Sequence, residues 1–526
     1  MDVWGWICEL PSADEWPEAH SVALDLARDG AGSIELKAER TKGSNSEALV
    51  TFSIGLSGFN AHAWNSQKSI WVSDACALVE RQGHLLPLVL QLVQEIVSRA
   101  PGGKDGAPLC PRAQLGRLKP DPIVWLMDSH SPESFSAFFN LVFVTRLFWL
   151  CVCDAPADVG SLYFHGVFAP NIELVSRFNQ APVLKKFLIS VGVDVELCFM
   201  RTLGYMITKW LILKEISGAG SNMKKSTSTN LLGFSYANES HGFWMLKGYA
   251  PIWAMRLTSS NSIKGSNQPR FPGLFEPNEA ALRYALAHQQ LEALIQLEYS
   301  VAFQEGFIQV NARIDNIRLN VAKLGFTKYD NDEDYAHERH FPSRVRVWVG
   351  PEAGSSYVAG LTLGKSTHNP VTVTECRKTL KGSYGKSKAP FVKATNRTST
   401  RVKAKAWRYD QDADGNVAVL DAVLCDGATG EEVAGWNSFE RRPRCSDATT
   451  PFGRGGSLVL AGDEYGEGVA WRLGKEMEGS VLKWRIGGRV WVSYWPSEAK
   501  SGWCETRCVE WCDEVDLPLI PTKSTV

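Results

Sequence analysis

At 526 residues and a formal net charge of −1, the chain is long enough for two or three domains with sizeable cores. Hydrophobic residues make up 44% and charged residues 21%, near globular averages, which excludes wholesale disorder. The near-neutral total also excludes a protein that works by bulk charge, so any electrostatic function must come from local sorting.

The first ten residues lack a basic stretch followed by an apolar run, so they do not read as a signal peptide. With no such address, the expected location is cytoplasm or nucleus. The twelve cysteines are scattered, and free thiols are the expectation in a reducing compartment. Residues 1–75 open with short extended pieces, of which 48–55 and 69–73 are the clearest. Leu86, Leu88, Leu90, Leu92, Val93 and Ile96 then mark an amphipathic helix over 85–98. Residues 100–122 are rich in Pro and Gly and read as a loop.

Helical signals are strongest over 131–216. Ser131-Pro132-Glu133 supplies a cap, a first-turn proline and an acid at the positive end of the dipole. That helix should run to about Cys153. It holds the most lipid-like stretch of the chain, 135–153, but Asn140 and Arg146 interrupt it. A buried helix is expected rather than a membrane span. A second helix spans 182–191 and breaks at Gly192. A third begins near Asp194 and carries Leu197, Met200, Leu203, Met206, Trp210 and Leu213.

Residues 217–231 and 258–277 have linker composition, with strands between them over 233–256. The leucines and Ile295 of 277–299 predict a helix. From about 300 the period becomes two. The parity of the apolar residues switches near Asp315-Asn316, which predicts a bulge or turn there. Strands follow at 344–349, 357–363, 371–376, 392–408, 417–424, 457–461, 469–473, 481–486, 489–495 and 506–515. Gly487-Gly488 between two of them reads as a two-residue hairpin that would set Trp484 opposite Trp491. Six of the nineteen tryptophans fall after residue 470, as expected of sheet packing.

The expected class is therefore α+β. Residues 1–216 form a mixed α/β half with an apolar helical core. Residues 217–299 hold linkers, short strands and a helix. Residues 300–526 form a Trp-rich antiparallel domain, a sandwich or partly closed barrel.

Four stretches carry a resemblance: Trp6-Ile-Cys-Glu-Leu-Pro11 with Asp14-Glu-Trp16, Asp128-Ser-His-Ser-Pro-Glu-Ser134, His340-Phe-Pro-Ser-Arg-Val-Arg-Val-Trp-Val-Gly350 and Arg507-Cys-Val-Glu-Trp-Cys-Asp-Glu-Val-Asp-Leu-Pro-Leu-Ile520. Together they resemble an uncharacterised family of land-plant proteins, across nearly the whole chain. The resemblance implies a plant source and an intracellular protein, and no activity.

The sharpest chemical signal is sorted charge. Between Glu375 and Asp410 lie eleven Lys or Arg and no acid. In the strand expected over 392–408, Lys393, Arg397, Arg401, Lys403, Lys405, Trp407 and Arg408 are the candidate anion-binding residues, and Arg401, Lys403 and Lys405 share one face with Trp407 and Tyr409, a cationic row ending in aromatics. The plain alternative is a solvated face cancelled by acids on neighbouring strands. Asp410, Asp412, Asp414, Asn416 and Asp421 follow, in most of the spacing of a calcium loop. The flanks alternate like strands and Asp421 stands where a longer Glu closes such loops, so an Asp/Gly-rich hairpin tip is the competing reading.

Other motifs fail. Gly364-Lys-Ser366 and Gly385-Lys-Ser387 lack the first glycine of a phosphate loop. His337-Glu-Arg-His340 is one residue short of a zinc-protease helix. Cys504, Cys508 and Cys512 fit no zinc spacing and on a strand would be too far apart for one ion. No catalytic group can be named. The expectation is a non-enzymatic binding protein whose basic β face, about 376–408, meets an anionic partner: nucleic acid, acidic lipid or acidic protein. The alternatives are an enzyme with a site between the halves and a scaffold subunit of a plant complex.

Overall fold

The computed structural model describes residues 2–11, 16, 21–30, 32–42, 48–59, 68–77, 85–103, 125–126, 129–172, 182–218, 233–252, 289–325, 339–352, 354–364, 407–425, 432, 458–461, 468–495 and 506–521. The class is α+β: among these residues, helices stand with three antiparallel sheets, none closed into a barrel.

A short helix α1 (Val3–Cys8) leads into β1 (Ser21–Asp29), β2 (Gly32–Lys42), β3 (Ala48–Ser57) and β4 (Lys68–Val72), which pair in chain order, with β5 (Cys76–Ala77) on β3. One face of this sheet buries Ile34, Leu36, Phe52 and Ile54 against a layer of helices. That layer contains α2 (Leu86–Ser98), α3 (Pro132–Phe148), α4 (Ala157–Leu162), α5 (Pro182–Val191) and α6 (Val193–Gly218).

Local chemistry sets these helix bounds. The Ser131 hydroxyl accepts from the Ser134 amide at the start of α3, with Pro132 and Glu133 in the first turn. Gly192, at φ 95°, turns the chain between α5 and α6, a conformation that costs glycine little. α3 runs straight into a π-helical turn, Trp149–Cys153. By length and composition Pro132–Cys153 could cross a membrane, yet 83% of its apolar window is buried in the fold.

The remaining strands build a sandwich. One sheet has the order β12 (Val358–Thr362), β16 (Val469–Gly474), β10 (Phe307–Gly325), β9 (Gln289–Phe303), β8 (Phe243–Ile252) and β7 (Phe234–Ser240). Two short strands, β6 (Gly102–Gly103) and β15 (Leu458–Ala461), also pair with β10. The other sheet has the order β13 (Trp407–Asp414), β14 (Val417–Leu424), β11 (Arg339–Pro351), β17 (Val481–Trp495) and β18 (Thr506–Pro518). Their inner faces share one core. Trp244 of β8 stacks on Trp484 of β17 with centroids 5.9 Å apart, and Trp471 of β16 meets Trp484 edge-on at 5.2 Å.

The register shift in β10 falls between Ile314 and Asn316, where the parity of the apolar residues switches. Three expectations are corrected. Residues 289–299 are strand, not helix, and 277–288 lie outside the described residues. Leu291, Ala293, Ile295 and Leu297 are buried at period two, a pattern as compatible with their sequence as the helical one. Pairing on both sides, with β8 and β10, decides it. The boundary expected at residue 300 therefore falls inside β9, and the sandwich already includes β7 and β8.

Gly487 and Gly488 form no turn. They lie within β17, which pairs along its length with β11 and β18. A Cβ on Gly487 would come 2.0 Å from the Trp348 ring, and one on Gly488 2.6 Å from Ile295 Cδ1. These glycines clear space for side chains above and below the sheet. Trp484 and Trp491 thus sit on opposite faces of one strand.

The two halves meet through a polar seam. Glu196 of α6, buried, accepts from Lys247 Nζ at 2.7 Å and from the Tyr249 hydroxyl at 2.6 Å, both on β8. One turn and more along α6, Arg201 reaches Glu292 of β9 with Nε at 2.7 Å and Nη2 at 3.2 Å.

Candidate functional site

Only the end of the basic segment, Trp407-Arg408, lies among the described residues, in β13 at the edge of a five-stranded sheet. β13 is an outer strand, and β13 and β14 form a hairpin whose turn is Gly415-Asn416, with Gly415 at φ 61°. Alternation sorts the residues of β13 cleanly. Trp407 and Tyr409 are buried in the sandwich, while Arg408, Asp410 and Asp412 point outward. Lys393, Arg397, Arg401, Lys403 and Lys405 lie outside the described residues. Of the candidate anion-binding set, then, Trp407 belongs to the core, because its strand parity turns it inward. Arg408 is on the open face and is already engaged, by Asp410 at 3.3 Å and Glu432 at 2.6 Å.

The residues of the calcium-like pattern are placed as follows. Asp410, Asp412 and Asp414 alternate along one strand, so the first and last are spread over about 13 Å, far beyond the span of one ion's oxygen shell. Asp412 accepts from the Ala413 amide at 2.8 Å. Asn416 is fixed in the turn, where its backbone carbonyl accepts from Trp471 Nε1 at 2.8 Å. Asp421 faces two guanidiniums, Arg344 and Arg346. Among the described residues no three His, Cys, Asp or Glu gather closely enough to hold a metal. His340 is buried, its Nδ1 2.8 Å from Gln289 Oε1. Cys508 and Cys512 lie on strand β18, and burial pushes both thiols above their ordinary value.

What sequence reading missed is the outward face next to this hairpin. Cross-strand register aligns Asp410, Asp421, Arg346, Arg489 and Glu510 in one row across all five strands. Trp491 stands in the row on one side, paired with Arg344, and Trp348 in the row on the other, paired with Gly487. The guanidinium of Arg489 lies 5.9 Å from the Trp348 ring centre and 5.8 Å from that of Trp491. Arg344 and Arg346 approach Trp491 at 5.1 and 5.9 Å. Each contact is within cation–π range. The result is a continuous ladder of indole and guanidinium planes.

Carboxylates hold the ladder in place. Asp421 joins Arg344 and Arg346, and Glu510 joins Arg489 through Nε at 2.9 Å. Burial works to raise the Asp421 carboxyl; the two guanidiniums outweigh it and keep the group below its ordinary 3.8. Two further outward cations among the described residues, Lys483 and Arg485, also meet acids, Asp516 for the first and Glu352 and Glu514 for the second. Each of these outward cations thus meets an acid, and the run of cations without an acid belongs, Arg408 apart, to the sequence before β13. Both indoles are half-buried, so the ladder is preorganised and still reachable. Its sequence signal was the alternation Arg344-Val-Arg346-Val-Trp348 and Arg489-Val-Trp491, which puts these five side chains on one face.

No protein-family model and no curated protein matches the sequence. Among solved structures, Clostridium perfringens delta-toxin is 8% identical with a TM-score of 0.19, covering 54% of this chain and 96% of the toxin. The membrane-inserted form of the Clostridium perfringens NetB toxin is 12% identical with a TM-score of 0.18, covering 43% of this chain and 89% of that one. A structure titled pore forming protein is 10% identical with a TM-score of 0.17, covering 56% of this chain and 92% of that one. Likenesses this slight carry no argument.

Proposed function

We propose that this chain is a non-enzymatic binding protein for single-stranded nucleic acid. In this reading the cationic segment 376–408 meets the phosphate backbone, and bases stack on the ladder of Trp348, Arg489 and Trp491. The observation that carries it is adjacency: eleven cations without an acid run directly into the edge strand of the sheet whose open face bears the ladder. Cations replace condensed counterions on the backbone, which gives affinity. Indole and guanidinium planes accept any base, which gives sequence tolerance. A lipid surface fits less well, because the half-buried indoles lie among charges and present no apolar projection.

The test is fluorescence anisotropy of the full chain with labelled single-stranded RNA and DNA, at low and at moderate salt. Duplex DNA and anionic vesicles are parallel arms. If six to ten phosphates are contacted, affinity should fall by roughly 10³–10⁵ between 50 and 200 mM salt. Binding to vesicles alone, or no binding to single strands at the lower salt, would remove the proposal.

A further inference from the structure

Among the described residues, α6 buries three charged side chains, and of these Glu196 and Arg201 have partners on the sandwich while Lys209 lies on the helical side. Lys209 faces the helical core with 4% of its surface exposed. Its ammonium nitrogen lies 4.7 Å from the centre of the Tyr205 ring, one turn earlier on the same helix, and 5.6 Å from that of Phe148 at the end of α3. Trp149 stacks on Tyr205 at 5.9 Å and closes the aromatic wall. No carboxylate pairs with Lys209 and no acceptor bonds it among the described residues. The carboxylates of the elements packed on α6 are committed elsewhere. Glu95 of α2 holds Arg146 and the Trp71 indole, and Glu196 holds Lys247 and Tyr249. Asp154 is taken by Arg99.

From this geometry we infer that Lys209 is a nucleophilic amine that condenses with a small, flat aldehyde or ketone. A buried lysine without a counter-ion is the arrangement that favours the neutral, reactive form. Burial pushes this amine below the ordinary lysine value of 10.5, and the one charge that opposes it is the Cys153 thiolate. That thiol is itself pushed up by burial and so favours its neutral form. Ring quadrupoles attract the ammonium, but weakly beside the hydration it has lost. Cys153 reaches the surface as a residue while its thiol is largely surrounded by protein, so solvent lies at this end of the helical layer. The residue ends the π-helical turn Trp149–Cys153, a distortion that often accompanies functional sites.

In the step itself, the nitrogen lone pair attacks the carbonyl carbon and a carbon–nitrogen bond forms. The carbonyl oxygen leaves as water with the two amine protons, giving an imine. No oxidant, reductant or further reactant is required.

The full chain would be treated with pyridoxal over a range of pH, trapped with borohydride and mapped by peptide mass spectrometry. Lys209 should be labelled ahead of the exposed lysines, with a labelling midpoint below 10.5. The Lys209→Met and Lys209→Arg variants should lose that label while keeping the helical circular dichroism of the parent. Labelling confined to exposed lysines, or a Lys209 midpoint at or above 10.5, would overturn the assignment. Preferential labelling that survives in Lys209→Arg at another lysine would overturn it equally. None of these readouts depends on nucleic-acid binding.

Discussion

The Tyr249 hydroxyl donates a 2.6 Å hydrogen bond to Glu196, a carboxylate whose side chain is 1% exposed. With Lys247 on its second oxygen, Glu196 fastens the longest helix to the larger sheet of the sandwich. Removing one partner of a buried pair leaves the others without water or protein to satisfy them. Glu196→Ala should therefore cost about 3–5 kcal/mol, and Glu196→Gln should cost less because it keeps an acceptor for Tyr249. Urea unfolding followed by tryptophan fluorescence checks the order of the two variants.

Gly487 provides a cleaner test of packing. Its missing side chain is the space into which Trp348 settles. Gly487→Ala should destabilise by about 1–3 kcal/mol through overpacking. Trp348→Ala in the same chain should relieve most of that cost. A double-mutant cycle in urea measures the coupling. If the two costs simply add, Gly487 is not there to make room for Trp348.

Asp421 predicts an acid limb. Its carboxyl is held below 3.8 in the folded chain by Arg344 and Arg346, against the opposing effect of burial. A depressed carboxylate gives stability that is complete above its unfolded value and is lost as pH falls through the folded one. The contribution of this group should therefore be constant at neutral pH and fade below 3.8. Asp421→Asn should lower stability at pH 7 and flatten the fall on the acid side. Thermal melts from pH 7 to 2 would show both effects.

The ladder can be separated from the basic segment. Trp491→Ala removes a half-buried side chain from the outward face and leaves the core untouched. Single-strand affinity should weaken by about 1–3 kcal/mol per lost stacking site, with the salt slope unchanged. Neutralising Lys403 and Lys405 should instead reduce the slope, since each phosphate contact contributes close to one unit. Anisotropy at several salt concentrations distinguishes the two.

Parts of this fold were legible at the level of local chemistry. The cap at Ser131, the break at Gly192 and the bulge after Ile314 each follow from a few neighbouring residues. So does the segregation of cations before Asp410. The site was legible only in part. Arg408 lies on the open face, whereas Trp407, expected beside the cations, is turned into the core by strand parity. Arg489 and Trp491 alternate on one strand, but Trp348 comes from β11, distant in sequence, so only strand pairing brings the two indoles to either side of Arg489. Lys209 is the lone cation between Leu203 and Leu213, though nothing nearby in sequence shows that no carboxylate meets it among the described residues.

The sequence by itself determined where helices start, where the chain must bend and where charge accumulates. These are contests among adjacent residues, decided by backbone propensity, hydrogen bonding to caps and spacing. Only the tertiary structure decided that residues 289–303 extend, since their apolar residues satisfy both periods and only pairing with β8 and β10 separates the two. It alone gave Gly487-Gly488 their meaning, because a glycine that turns a chain and one that yields to an indole look the same until the indole arrives. Long-range contact converts a set of permitted local states into one, and the ladder and the buried amine exist only in that one.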